Sequence, residues 1–346
     1  MEQRIIECVP NFSEGRDMGV IRQITDAIES VEGVRLLHVD PGYATNRTVV
    51  TFVGSPEAVS EAAFRGAKTA GEVIDMRLHH GTHPRQGATD VLPLIPVSGV
   101  TLDECAQLAR QLAERLATEA GIPCYCYEAA ALRPQFSNLA VCRAGEYEAM
   151  SEKLADPERR PDFMPSQPSY DGETAAHGQS PHPILPTPHM MKTGISTVGA
   201  RDFLIAVNWN LNTTDTAVAK AIACDVREKG RAGQPGTLKC TKAIGWYIEE
   251  YGIAQVSMNM TNIHVTPLHV AYEEVCRCAQ ARGVRVTGTE IIGLVPRRSL
   301  TDAGRYFLKK QQRPTDVPDS LLIAEAIRSM GLDDLRPFDP EKKIIG

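Results

Sequence analysis

Arg4-Ile5-Ile6-Glu7-Cys8-Val9-Pro10 is a short apolar run closed by the polar turn Asn11-Phe12-Ser13-Glu14-Gly15. It is followed by Met18–Val31, where Ile21, Ile24, Ala27 and Ile28 recur at helical spacing. This step from strand to amphipathic helix opens a pattern that the chain then continues. Val34–Val39 and Thr48–Val53 read as strands, joined through Pro41-Gly42 and Thr45-Asn46-Arg47. Pro56 to Ile74 reads as a helix with Ser55 at its N-cap. The run Val91–Val97 reads as a strand whose two prolines suit an edge or a strand end. Strand–helix–strand–strand–helix–strand is the ferredoxin-like order, extended here by a helix at Leu102–Ala120 and a strand at Cys124–Glu128.

From Pro157 to Lys192 the chain is crowded with Pro, Ser, Gly and His and has no apolar periodicity, so it reads as a linker or lid loop. Patterning resumes with the strand Arg201–Asn208 and a helix from Thr214 to Glu228, capped by Thr213 or Thr214. Strands at Leu238–Ile248 and Ala254–Val265, a helix at His269–Ala281, and strand segments at Arg285–Gly288 and Ile291–Val295 complete a second unit in the same order. The expected fold is therefore α/β (α+β), with two ferredoxin-like subdomains, mixed or antiparallel sheets and flanking helices. The expected divisions are 1–160, a linker at 161–192, a second subdomain at 193–300, and a C-terminal helical extension at 301–346 built on amphipathic Leu321–Met330.

The 346 residues carry a net charge of −6, with 42% hydrophobic and 23% charged side chains. That balance is ordinary for a globular protein and argues against a nucleic-acid binder with a broad basic face. No apolar run approaches the roughly 20 residues that cross a bilayer, and the N-terminus does not read as a signal peptide, so a cytoplasmic location is expected. The nine cysteines lack any Cys-x-x-Cys and are odd in number. They read as reduced thiols, with neither a disulfide framework nor a structural metal.

His79-His80-Gly81-Thr82-His83-Pro84-Arg85 holds three of the nine histidines. Gly81 and Pro84 break regular structure, so the imidazoles fall on a shaped loop, where catalytic groups concentrate. His79 and His83 have the four-residue spacing of zinc-peptidase ligands, but His80 replaces the catalytic Glu and Pro84 disfavours a helix at His83. Proton transfer by one imidazole is the preferred reading.

At several points in order, the chain resembles the glutamate formimidoyltransferases. The segments are Val9–Gly15, Asp40 through Thr45-Asn46-Arg47-Thr48, Phe52-Val53-Gly54, and His83-Pro84-Arg85 with Gly87-Ala88 and Asp90. Arg143–Glu148, Gly199-Ala200-Arg201, Ala243–Tyr247 and Gly293–Pro296 continue the likeness over nearly the whole chain. The resemblance implies transfer of a formimino group from N-formimino-L-glutamate to N5 of tetrahydrofolate, in histidine degradation. Tetrahydrofolate is then a co-substrate, and no metal is required. It also implies a substrate groove between two subdomains and a homodimer. The chain stops before the cyclodeaminase domain of mammalian members, so ring closure would fall to a separate protein.

By the same resemblance His83 is the catalytic acid–base and Asp40 its carboxylate partner. Asp40 would fix the tautomer and stabilise the imidazolium; otherwise it reads as a turn-former before Pro41-Gly42. Arg47 and Arg85 are the candidate grips for substrate carboxylates, and Asn11 and Asn46 could bond the formimino or pterin groups. The plainer alternatives are a structural ion pair for Arg85 and turn-building for the asparagines. Met164, Pro165 and Ser166, after Pro161-Asp162-Phe163, resemble the start of the family's folate-contacting crossing segment, and Gly194 and Ser196 its end. An insertion between them brings His177, His182 and His189, which share only composition with a metal cluster. Rival readings are formyl transfer from N-formylglutamate, a folate-binding protein without turnover, and a metal-dependent hydrolase using His79 and His83.

Overall fold

A computed structural model describes residues 4–166, 183–231 and 233–345. It divides into two compact units, Met1–Asp202 and Phe203–Gly346.

The first unit contains β1 (Ile5–Cys8), β2 (Asn11–Phe12), α1 (Met18–Glu29), β3 (Arg35–Gly42), β4 (Arg47–Gly54), α2 (Pro56–Val73), β5 (Thr89–Ser98), α3 (Leu102–Ala120) and β6 (Cys124–Glu128). Short helices α4 (Leu139–Cys142), α5 (Met150–Ala155) and α6 (Pro188–Thr193) lead to β7 (Ser196–Ala200). Caps explain where the helices begin. The Asp17 carboxylate accepts from Gly19 and Val20 N–H, Ser55 accepts from Ala58 N–H, and Thr101 with Glu104 forms a reciprocal capping box.

In the sheet β3 pairs with β4, β4 with β1 and β2, and these with β5, all antiparallel. β7 and then β6 add on in parallel. The first four positions reproduce the ferredoxin-like arrangement. Ile6, Cys8, Val50, Phe52, Leu92 and Leu94 bury against the three long helices. Strand side chains alternate between faces, so Glu7, Asn11, Asp40, Arg47 and Thr51 lie on the face away from that core.

Two expectations shift. β5 is a central strand rather than an edge, because β1 and β2 lie on one side and β7 on the other. Pro93 is tolerated where β1 and β2 are interrupted at Val9-Pro10: its carbonyl accepts from Val9 N–H at 3.3 Å, and its missing donor faces the same break. β7, placed by the sequence in a second half beginning at residue 193, hydrogen-bonds into the first sheet, and the first unit runs on to Asp202.

The second unit contains β8 (Ile205–Leu211), α7 (Thr216–Val226), β9 (Thr241–Ile248), β10 (Ile253–Met260), α8 (Leu268–Gln280) and β11 (Val286–Ile292). Its antiparallel order, β11-β8-β10-β9, is again ferredoxin-like. α7 starts later than expected because Asp215, not Thr213 or Thr214, caps it through Ala217 N–H. After β12 (Val295–Pro296) come α9 (Arg297–Lys310) and α10 (Asp319–Met330), then α11 (Pro340–Lys343) and β13 (Ile344–Ile345). Leu300, Phe307, Ala326 and Met330 enter the same core as Val207, Trp209 and Val256. The region expected as an extension is thus part of the unit. No helix among the described residues is long and apolar enough to cross a membrane.

Glu7 is 1% exposed, and its Oε2 has no hydrogen-bond partner among the described residues. Burial pushes its pKa up to about 7, with Arg201 opposing. A raised folded-state pKa gives stability that is complete below the unfolded value and is lost as pH rises through the folded one. Glu7→Gln is therefore expected to stabilise the protein by about 3 kcal/mol at a pH near 8 and by almost nothing below a pH of about 4. Urea unfolding at the two pH values checks this.

Candidate active site

The His79–Arg85 loop lies on the β3–β4 turn. Thr82 N–H donates to Ala44 O at 3.2 Å, and a His79 Nε2–H group donates to Asn46 O at 2.7 Å. Asn46 holds a left-handed backbone, φ 47°, that its short side chain tolerates. That side chain donates to His80 O and accepts from Gly15 N–H, both at 3.0 Å. Gly81 permits the approach, since a Cβ there would stand 2.1 Å from Thr45 O. Asn46 and His79 therefore build the loop's seat, and His80 is exposed.

Arg47, the first residue of β4, reaches His83 from this seat. Its Nη1 lies 2.5 Å from His83 Nδ1 and 3.2 Å from Nε2. Nδ1 is also 2.7 Å from the Pro84 carbonyl. A carbonyl only accepts, which favours the hydrogen on Nδ1; a guanidinium only donates, so with that tautomer Arg47 Nη1 donates to the Nε2 lone pair at 3.2 Å. Burial, then the charges of Arg47 and Arg143, hold the His83 pKa well below its usual value, so the ring is neutral near pH 7.

Arg47 is fixed in turn. Its Nε donates to Asn11 Oδ1 at 3.0 Å and its Nη1 to Asp90 Oδ2 at 3.1 Å. Asn11 pairs with Val91 and Phe12 with Thr89, which leaves Asp90 as the extra residue of a β-bulge. Bulges re-aim side chains, and this one turns a fully buried carboxylate toward Arg47. Arg143 takes the same carboxylate through Nε and Nη2, and Gln86 N–H donates to its Oδ1 at 3.1 Å. Two guanidiniums thus share one carboxylate. Desolvation and the neighbouring Arg143 pull the Arg47 pKa down to about 10 despite Asp90.

The structure joins Asn11, Arg47 and His83 by direct contacts. Asp40 is buried on β3 opposite Val49, while Gly42 stands opposite Arg47. Asp40 and Arg47 are thereby diagonal neighbours on one face of the hairpin. Arg85 follows the structural alternative. Its Nη1 and Nη2 bond Glu148 at 2.8 and 2.7 Å, and Nη1 bonds Glu146 at 3.1 Å. Two carboxylates already surround that one cation. Met164 is buried among Tyr125, Phe136 and Met150, Pro165 is half-buried and Ser166 exposed. Gly194, φ 69°, pairs with Gly87 and braces the trailing end of the histidine loop; its Cβ would fall 2.3 Å from Gln86 O. Ser196 is buried with its Oγ unbonded among the described residues. His189 bonds Ala120 O at 2.9 Å, and His177 and His182 lie outside the described residues.

Sequence reasoning passed over Asp90 and Arg143 as site residues. Both stood inside segments singled out for their likeness, but nothing local marks a bulge or a partner 53 residues away.

This constellation, a neutral imidazole against a braced arginine, lies within the first α/β unit. The comparisons give the class. Residues 5–178 match the formiminotransferase domain's N-terminal subdomain and residues 206–346 match the formiminotransferase domain, and the chain belongs to that family. It is 45% identical over 99% of its length to a formimidoyltransferase-cyclodeaminase of Sus scrofa, of which it covers 59%. The chain thus spans about three fifths of the length of the first curated relatives it matches. It is also 40% identical to a glutamate formimidoyltransferase of Thermoplasma acidophilum, over 88% of this chain and 92% of that one. A Streptococcus pyogenes serotype M1 protein of the same name is 41% identical over 88% and 94%.

Removing one member of a buried ion pair strands its partner, at a cost of roughly 3–5 kcal/mol, whereas exposed pairs contribute about 1 kcal/mol or less. Asp90→Asn should therefore destabilise the protein by roughly 3–5 kcal/mol. Glu148→Gln, whose side chain is 63% exposed, should cost less than about 1 kcal/mol. Equal losses in denaturant unfolding would contradict this ranking.

Proposed function

We propose that the chain transfers the formimino group of N-formimino-L-glutamate to N5 of tetrahydrofolate, releasing L-glutamate and 5-formiminotetrahydrofolate in histidine degradation. The observation that carries this reading is the likeness to two glutamate formimidoyltransferases over nearly all of their length. The site supports it with a base that is neutral where the chemistry needs one.

The donor amidine is protonated near neutrality, which makes its carbon electrophilic. As N5 adds to that carbon, Arg47 Nη1 gives up the Nε2 lone pair of His83 and the N5 proton passes to it. The resulting tetrahedral centre carries three nitrogens. His83 then gives the proton to the glutamate nitrogen, the bond from carbon to that nitrogen breaks, and glutamate leaves as the amine. One positioned group serving both half-steps is worth about 10²–10⁴-fold. Burial and the adjacent arginine keep the base unprotonated before attack. Asp40, on the same sheet face, is assigned to stabilise the imidazolium formed in between. We propose further that the protein works in the cytoplasm as a homodimer. Pro165, Ser166 and Ser196 are assigned to the folate side of the site on the family likeness.

A stopped assay with tetrahydrofolate and either formimino- or formylglutamate tests the reading. Formiminoglutamate should be the faster donor, a chelator should leave turnover unchanged, and His83→Ala should lower kcat/KM by about 10²–10⁴-fold. Consumption of neither donor, or full activity in His83→Ala, would contradict it.

A further inference from the structure

The two arginine systems beside His83 carry opposite charge surpluses. Arg85 meets Glu146 and Glu148, one cation against two carboxylates. Among the described residues Arg47 and Arg143 both form ion pairs with Asp90, two cations on one carboxylate, with neutral His83 alongside. An incoming carboxylate is repelled by the first system and attracted by the second, at a separation where partial burial strengthens the effect.

The hydrogen bonds agree with this polarity. Arg143 uses its Nε and Nη2 edge on Asp90, and Nη1 donates to no described group. The Nη1/Nη2 edge is thus left with parallel donors of carboxylate spacing. Arg47 commits Nε to Asn11 and Nη1 to Asp90 and His83, while Nη2 donates to no described group. The two side chains are only 11% and 15% exposed, and the shared Asp90 holds both heads in place.

We propose that Arg143, together with Arg47, forms the subsite for a substrate carboxylate and that this carboxylate is the α-carboxylate of the formimino donor. The assignment rests on the formimino-transfer reading above. Geometry selects the source. A carboxylate bonded to Arg47 Nη2 lies one guanidinium width from the Nη1 that touches His83. In the donor, the α-carboxyl carbon is three bonds from the formimino carbon, roughly 3–4 Å by ordinary bond lengths. The tail carboxylates of a folate lie beyond its aminobenzoyl ring, on the order of 10 Å or more from N5 on the same bond lengths. Of these two sources the former can sit here while its reacting carbon meets His83, and the donor lacking the α-carboxylate tests it against the donor's own γ-carboxylate. Arg143 is then a donor-specificity residue rather than a proton-transfer group.

The test compares wild type, Arg143→Gln and Arg143→Lys with two donors, N-formiminoglutamate and 4-formiminoaminobutanoate, which lacks the α-carboxylate. Asp90 keeps Arg47 as a partner in both variants, and thermal unfolding confirms that each folds. Arg143→Gln should raise KM for N-formiminoglutamate at least tenfold and leave KM for tetrahydrofolate and for the truncated donor unchanged. Arg143→Lys should fall between. Equal loss with both donors would overturn the proposal and leave Arg143 as a brace for Arg47. A rise confined to the KM for tetrahydrofolate would assign the subsite to the folate tail instead, and also overturn it. Calorimetric binding of L-glutamate separates the two levels of inference. If wild type turns over neither donor yet binds glutamate in an Arg143-dependent manner, the subsite stands and the reaction assignment fails. If glutamate binding is indifferent to Arg143, the subsite fails whatever the turnover.

Discussion

The site depends on one buried carboxylate. Asp90 is fully inaccessible to solvent, and it carries two guanidiniums and a backbone N–H. Placing an ion there is costly unless it is paired and hydrogen-bonded, and both conditions are met by residues from three separate segments. The carboxylate draws Arg47 from the start of β4 and Arg143 from the turn after α4 onto the same spot. That arrangement also holds Arg47 against the His83 ring, beside the Pro84 carbonyl.

The electrostatic consequence is specific. A carboxylate next to a catalytic imidazole raises its pKa, whereas an arginine lowers it. In the resting site burial, and after it the charges of Arg47 and Arg143, push the His83 pKa down. The ring is thus prepared to accept a proton rather than to hold one. Asp40 lies diagonal to Arg47 on the β3–β4 hairpin, and the role proposed for it begins once the imidazolium exists. The histidine loop itself is held by contacts outside the reacting groups: Asn46 and His79 tie it to the turn, and Gly81 lets it lie against Thr45.

The architecture was largely legible in the sequence because period and caps carry it. The helix at Leu102–Ala120 and the strand at Cys124–Glu128 have the bounds that the pattern gives, and both units show the strand–helix order that their spacing implies. The failures have physical causes. β7 lies in the first sheet because a parallel strand can join from far along the chain, and local pattern does not say which sheet receives it. Pro93 of β5 read as an edge signal because the break at Val9-Pro10 that accommodates it belongs to another strand. His83, Arg47 and Asn11 could be named from their segments. Asp90 could not, since its orientation results from a one-residue register slip against β2. Arg85 looked like Arg47 in sequence, and only Glu146 and Glu148, some 60 residues on, distinguish them.

The central claim is that braced arginines and burial hold His83 neutral, with its hydrogen on Nδ1. The most direct measurement is an NMR titration of its imidazole in the native protein, assigned by comparison with His83→Gln and read through both ring nitrogens. The account predicts an Nδ1–H tautomer and a midpoint well below the ordinary histidine value of about 6.5. A midpoint at or above that value, or an Nε2–H tautomer, would contradict it.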